Sequence, residues 1–269
     1  MRKITSLMLA AIMLFSAAIG FTSCGKKEAD KLICGVTIFE PMNYKNADGE
    51  WTGFDTEFAK LVGEKLGMEV EFELIEWKAK YSELEAGTIS CIWNGFTANS
   101  EDEGKPRRDY VDFSNSYMIN RQCVVIKKEN ADKYTTLESL SGKKAAAEKG
   151  SAGETAAKGV IGEDGSMVDV AAQVDTLVEV KAGAVDFAVI DILLAERLTG
   201  KGNYDDLQIA EVELNSDTEV YAVGFKKGSD LTEKVNQAMK ELYDDGTLME
   251  LAEKYNITKA LKLDTEFKG

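Results

Sequence analysis

Histidine is missing from all 269 residues. Its absence excludes Ser-His-Asp and Cys-His nucleophilic catalysis and the histidine-built catalytic zinc sites. Any enzyme on this chain would have to work with carboxylates, lysine, tyrosine or cysteine. Positive charge is in deficit: 32 Lys+Arg against 47 Asp+Glu, a formal −15. That balance argues against a nucleic-acid partner, which needs Lys/Arg patches for its phosphates. An acidic surface otherwise means solubility. Cysteine is scarce and unpatterned. Cys34, Cys91 and Cys123 each sit in a strand-like apolar run, and no CxxC spacing occurs. Buried small hydrophobes are the plain reading of these three, with one disulfide as the alternative. Neither a metal nor a cofactor is expected. Proline occurs only at Pro41 and Pro106, and no repeat or low-complexity tract breaks the chain. Hydrophobic residues make up 44%, enough for a sizeable core.

Only one apolar run is long enough to approach a bilayer span, and it lies at the N-terminus. Arg2 and Lys3 precede "ITSLMLAAIMLFSAAIGF", and "FTSCGKK" places Thr22 and Ser23 before Cys24. This arrangement resembles a bacterial lipobox, whose cysteine is lipidated and becomes the first mature residue. An uncleaved anchor or a plain signal peptide are the alternatives, and on each reading the segment stands outside the fold. Residues 1–23 are thus read as a signal peptide and 24–30 as a polar tether. Losing Arg2 and Lys3 takes the charge from −15 to −17.

Beyond residue 30 strand-like and helix-like periodicity alternate. "KLICGVTIF" reads as a strand. "GFDTEFAKLVGEKLG" reads as a helix with Asp55 as its N-cap, an apolar stripe of Phe58, Leu61, Val62 and Leu66, and Gly67 as its stop. "MEVEFELIEW" alternates with Val70, Phe72 and Leu74 on one face. "KYSELEAG" is a short helix and "TISCIWNG" a further strand. A second series follows: strand "QCVVIKK", short helix "TTLESLSG", strand "KKAAAEKG", helices "SAGETAAKGVI" and "AQVDTLVEVKAG", strand "VDFAVIDI" and helix "LLAERLTG". Strand "EVYAVGFKKGS" and two helices around Asp245-Gly246-Thr247 complete the chain. Strand–helix alternation implies α/β units with parallel sheets. Two such units joined by two crossover segments make a cleft, and ligands favour the carboxyl ends of strands in open α/β sheets.

The residues at those ends are polar. Asn94, Gly95 and Thr97 follow "TISCIW", and Arg107 and Arg108 follow an acidic loop. A guanidinium suits a carboxylate, although surface arginines paired to neighbouring acids are the commoner case. Ser151 and Glu154 have capping-box spacing, so the N–H groups of Ala152 and Gly153 open a helix, facing either an anion or water. Asp191 ends a run buried on both faces, where it would either cap the next helix or meet an ammonium. Phe39 and Trp77 follow strands and are either core or cleft wall.

The order "GFDTEFAKLVGEKLG", "LEAGTISCIWNGFT", "RRDYVDFSNSYM", "LSGKKAAAEKGSAGE", "AGAVDFAVID", "YAVGFKKGSDL" resembles the amino-acid-binding proteins of bacterial ABC importers, from about Lys31 to about Asn256. The resemblance implies a two-lobed periplasmic-binding-protein fold. Each lobe would be a mostly parallel sheet flanked by helices, and two crossover hinge segments would join them. Lobe 1 would hold residues 31–117 and 222–269, and lobe 2 residues 118–221 with the hinge segments. It also implies that Arg107 clamps the ligand carboxylate, with Arg108 as the rival position because the loop before it is longer than usual. Thr97, Ser151, Ala152 and Gly153 would assist. Asp191, with Gly95 and the Thr97 hydroxyl, would take the ammonium. Phe39, Trp77, Glu148 and Asn94 would line the side-chain pocket. Cationic-amino-acid binders carry an aspartate where this chain has Val36, which implies a polar or neutral guest, with Glu40 and Glu148 as partial substitutes.

The expected protein is therefore a monomer held outside the membrane by lipid on Cys24. It would capture an amino acid and deliver it to permease subunits by closing around it. A dehydratase on the same fold and a sensory module are the rivals.

Overall fold

A computed structural model describes residues 30–214 and 218–267; Cys24 and the apolar N-terminal run lie outside them. Strand β1 (Lys31–Val36) pairs in parallel with β4 (Glu69–Leu74) on one side and β5 (Cys91–Ile92) on the other. The helices α1 (Phe54–Leu66) and α2 (Lys80–Ala86) provide the crossovers that parallel pairing requires. Strands β16 (Gly224–Phe225) and β8 (Asp112–Phe113) complete a five-stranded sheet in the order β4-β1-β5-β16-β8, and both join antiparallel.

The second sheet repeats this plan. β11 (Lys144–Glu148) lies parallel to β12 (Ser166–Val170) and β13 (Phe187–Asp191), with α3 (Ala152–Ile161) and α4 (Gln173–Ala182) between them in sequence. β10 (Gln122–Lys127) and β14 (Leu207–Ile209) add antiparallel, in the order β12-β11-β13-β10-β14. Both sheets are therefore mixed: three neighbouring strands follow the βαβ rule and two join antiparallel. Two short hairpins, β2 (Tyr44–Lys45) with β3 (Trp51–Thr52) and β6 (Glu101–Asp102) with β7 (Lys105–Pro106), decorate the first lobe.

The chain crosses between lobes twice. β9 (Ser116–Asn120) and β15 (Glu219–Tyr221) are the crossings, and they pair antiparallel with Asn120 opposite Glu219. β17 (Leu261–Asp264) covers the other edge of β9. The last helices, α6 (Leu231–Asp244) and α7 (Thr247–Tyr255), return to the first lobe and pack on α1. Helix α5 (Ile192–Leu198) follows β13 directly.

Local chemistry explains most element ends. Gly67 closes α1 in the left-handed conformation and accepts the helix stop expected of it. Two local readings change. The N-cap of α1 is Gly53; Asp55 lies in the first turn and is fully buried, because a contact distant in sequence claims its carboxylate. "TTLESLSG" forms only a 3₁₀ turn, Leu137–Leu140. Leu74 is 58% exposed at the end of the edge strand β4, where nothing covers that position. Among the described residues no helix is long and apolar enough to cross a membrane. Cys34, Cys91 and Cys123 are free and buried; the Sγ atoms of Cys34 and Cys91 lie 3.7 Å apart on adjacent strands.

Candidate functional site

A small cavity lies between the lobes, at the carboxyl ends of β5, β11 and β13. Its wall is Trp77, Asn94, Gly95, Thr97 and Arg107 from one lobe and Glu148, Ser151, Ala152, Gln173 and Asp191 from the other.

Arg107 is 1% exposed, whereas Arg108 lies at the surface. The hairpin β6–β7 aims Arg107 inward. Its Nε and Nη2 donate to Asp102 Oδ1 at 3.2 and 3.0 Å, its Nη1 to the Thr97 carbonyl at 2.9 Å, and its Nη2 to the Gly150 carbonyl at 3.3 Å. Of five N–H donors, these bonds leave one. Asp102 thus holds the fork expected to clamp the ligand carboxylate, and Arg107 offers the cavity a single donor and its charge. Lys80, also buried, joins the same cluster. Its Nζ lies 2.9 Å from Asp102 Oδ2 and 3.1 Å from the Gly150 carbonyl, over the ring of Tyr81 at 4.5 Å and that of Trp77 at 5.2 Å. Burial depresses the Lys80 ammonium to about 8, with Arg107 adding to the effect and Asp102 opposing it. Burial also pushes the Asp102 carboxyl up, but Arg107, Lys80 and Tyr81 outweigh it and hold it below its ordinary value. Two cations of one lobe therefore converge on one carbonyl of the other, just before α3.

That helix begins as its sequence directs. Ser151 Oγ accepts the Glu154 N–H at 3.0 Å. The return bond of the box goes one residue further back, with the Gly150 N–H donating to Glu154 Oε2 at 2.6 Å. Ser151 and Ala152 face the cavity. Gly153 does not: it packs between the Val189 carbonyl and Gln122, a space that a Cβ would overfill.

Asp191 is 4% exposed and ends β13. It makes no side-chain cap to α5; its oxygens are taken by other donors. Oδ1 accepts from Tyr221 Oη at 2.8 Å, from Gln122 Nε2 at 3.1 Å and from Asn120 Nδ2; Oδ2 accepts from Gln173 Nε2. Gln173 Oε1 in turn takes the Asp191 N–H at 3.0 Å. Burial raises the Asp191 carboxyl above its usual range, and those four donors counter it. Glu219, opposite Asn120 on the crossover strands, is a second acid here. The Asn120 and Gln122 amides donate to its Oε2 at 2.7 and 2.9 Å, and the Thr97 hydroxyl points to it at 3.4 Å. Burial and the Asp191 charge lift Glu219 to about 7.

On the first lobe, Asn94 lines the cavity, yet its side chain is committed elsewhere. It exchanges hydrogen bonds with the Thr37 N–H, hydroxyl and carbonyl at 2.8–3.1 Å and donates to Asn43 Oδ1 at 2.8 Å, tying the loop after β1 to the loop after β5. Asp55 accepts the Gly95 N–H at 2.6 Å and the Tyr117 hydroxyl at 2.9 Å. Phe39 is off the cavity wall. It stands behind Gly95, edge-on to Tyr221 with ring centroids 6.4 Å apart. Trp77 is on the wall, edge-on to Phe96. Arg107, Thr97, Gly95, Trp77, Asn94, Glu148, Ser151, Ala152 and Asp191 are thus brought together, and Phe39 and Gly153 are one layer out. Sequence reasoning missed Gln173, Asn120, Gln122, Glu219, Tyr221, Lys80 and Asp102. Polar residues inside the apolar stretch "SYMINRQCVVI" were the one local signal for two of them.

Comparison with known proteins places this geometry. The chain is 31% identical over 95% of its length, and 98% of the relative's, to the arginine-binding extracellular protein ArtP of Bacillus subtilis. Among solved structures it is similar to an ancestral arginine-binding protein bound to arginine (30% identity, TM-score 0.76, covering 85% of this chain and 99% of that one). It is also similar to an ABC uptake transporter substrate-binding protein of Streptococcus pneumoniae with bound histidine (33% identity, TM-score 0.74, 84% and 92%). Residues 32–258 match the model of one family over most of the chain, and the protein belongs to it: the bacterial extracellular solute-binding proteins, family 3.

Proposed function

We propose that this protein captures a free amino acid between its lobes and delivers it to the permease of an ABC importer, as a binding protein rather than an enzyme. One observation carries the reading. A small buried cavity has the Arg107 guanidinium on one lobe and the Asp191 carboxylate on the other, so only the closed form surrounds both ends of a zwitterion. Arg107, Thr97 and the start of α3 at Ser151 and Ala152 take the carboxylate. Asp191 takes the ammonium, with Gly95 and Thr97 beside it.

The two sheets support lobes of residues 31–117 plus 222–269 and of 118–221, with β9 and β15 as the hinge. The N-terminal charges, apolar run and Cys24 support lipid anchoring outside the membrane; Cys24→Ala should release the protein to the medium. Relatives are named for different amino acids, so the family leaves the side chain open.

Calorimetric titration with the twenty amino acids tests the capture. At least one should saturate a single site, and its α-amide or N-acetyl derivative should not. Silence from every free amino acid would reject the reading.

A further inference from the structure

Cys34 and Cys91 are in-register partners on the parallel strands β1 and β5. Neighbouring strands in a sheet lie about 4.7–4.9 Å apart, inside the range of roughly 4.4–6.8 Å between Cα atoms that a disulfide spans. In-register residues also point to the same face, so the backbone need not turn to bring the two side chains together. The Cys91 thiol already donates to Cys34 Sγ at 3.7 Å. Both residues are fully buried, in one apolar core with Phe58, Val62 and Phe225. Cys123 lies on β10 in the second sheet and is a partner for neither.

The place of this pair gives a bond between them a consequence. Strand β5 is two residues long, and two register pairs hold it to β1. Three residues beyond each cysteine, Thr37 and Asn94 exchange hydrogen bonds. Asn94, Gly95 and Thr97 of the cavity wall all follow from the end of β5. A covalent rung at Cys34 and Cys91 would fasten the short strand from which these residues hang.

We propose that Cys34 and Cys91 close as a disulfide while the exported chain folds, joining β1 to β5. The family is extracellular, and outside the cytoplasmic membrane disulfides form and persist. Closure is thiol–disulfide exchange with an oxidised dithiol carrier or with glutathione disulfide. One cysteine thiolate attacks the S–S bond of the oxidant, forming a mixed disulfide and releasing a thiolate; the second cysteine then displaces the oxidant's other sulfur. The two cysteines together lose two electrons and two protons, and the oxidant leaves as two thiols. Timing follows from burial. In the folded protein, burial holds the Cys34 thiol well above its ordinary value, with the Cys91 thiol adding to the effect, so the attacking thiolate is scarce. Exchange therefore belongs to the stage before α1 packs over the pair, and the finished link is shielded in the core. The link does not depend on what the cleft binds.

The test is thiol alkylation of the full chain, exported by a host with an oxidising periplasm and denatured without reductant. Of Cys34, Cys91 and Cys123, only Cys123 should be modified. Digestion should yield a Cys34–Cys91 peptide pair lighter by two hydrogen atoms than the two free peptides together, and reduction in denaturant should separate it. Thermal unfolding of the oxidised protein should lie about 5 °C or more above that of protein refolded in reductant, and Cys91→Ala should abolish the difference. All three thiols modified in the exported protein would overturn the link. So would glutathione or a carrier left on either cysteine, or a peptide pair that joins Cys123 instead.

Discussion

Replacing Asp191 with asparagine changes one oxygen for an NH₂ and removes one charge. Three donors converge on Oδ1, from Asn120, Gln122 and Tyr221, and an asparagine can still receive them. The new NH₂ must then face Gln173 Nε2, donor against donor. Turning the Gln173 amide would relieve that clash but would cost its carbonyl the Asp191 N–H, held at 3.0 Å. Either way one buried hydrogen bond goes, and on the proposed assignment the guest's ammonium would lose its counter-charge. A hydrogen bond to a charged group is worth about 1.5–3 kcal/mol, which corresponds to about 10–150-fold in Kd. Relief of repulsion with Glu148 and Glu219 acts mainly on the unliganded protein, so its melting temperature should hold or rise while affinity falls. The assay is calorimetric titration beside thermal unfolding without ligand. An unchanged Kd in a folded Asp191→Asn protein would refute the assignment of the ammonium to this residue.

Two further outcomes follow from the residues behind the wall. Asp55 is fully buried and its carboxyl lies near 7, because burial outweighs the donors from Gly95 and Tyr117. An acid raised by folding stabilises fully below its unfolded value, near 4, and loses that contribution as pH climbs through 7; the span is worth at most about 4 kcal/mol. Asp55→Asn should flatten the fall in urea-unfolding stability between those pH values, and a loss equal at both ends would contradict the buried neutral acid. Gly95 adopts φ +54, and a Cβ there would lie 2.5 Å from Phe39 Cε1 and 3.1 Å from Tyr221 Cε2. Gly95→Ala should cost about 1–3 kcal/mol in denaturant unfolding and weaken binding; an unaffected midpoint would show that the aromatic pair yields freely.

Legibility in the sequence followed how local each cause was. β1, α1, α3 and β13 announced themselves through periodicity and punctuation, and Asp191 stood out because an acid closes an apolar run. Ser151 was readable because a capping box needs only four residues. β12, "SMVDV", passed unseen: it is an edge strand, half exposed, with serine and aspartate among its five residues. Asp55 looked like a cap because its neighbourhood is a helix start; its partner Gly95 is 40 residues away. Asn120, Gln122, Glu219 and Tyr221 act together only because two crossings about a hundred residues apart align Asn120 with Glu219. No local pattern states that register. Lys80, at the start of α2, and Asp102, in β6, are similar cases: the contacts that bury them come from distant parts of the chain.

The paired crossings also bear on how a guest would leave. Asn120, Glu219 and Tyr221 ride on the paired crossings themselves, whereas Gly150 lies off them, just before α3. Rotation displaces points in proportion to their distance from the axis, so the grip of Lys80 and Arg107 on Gly150 would travel farther than the residues on the crossings. The guest's carboxylate would meet water while its ammonium still rests in an almost stationary nest, so unloading would run from one end of the molecule to the other.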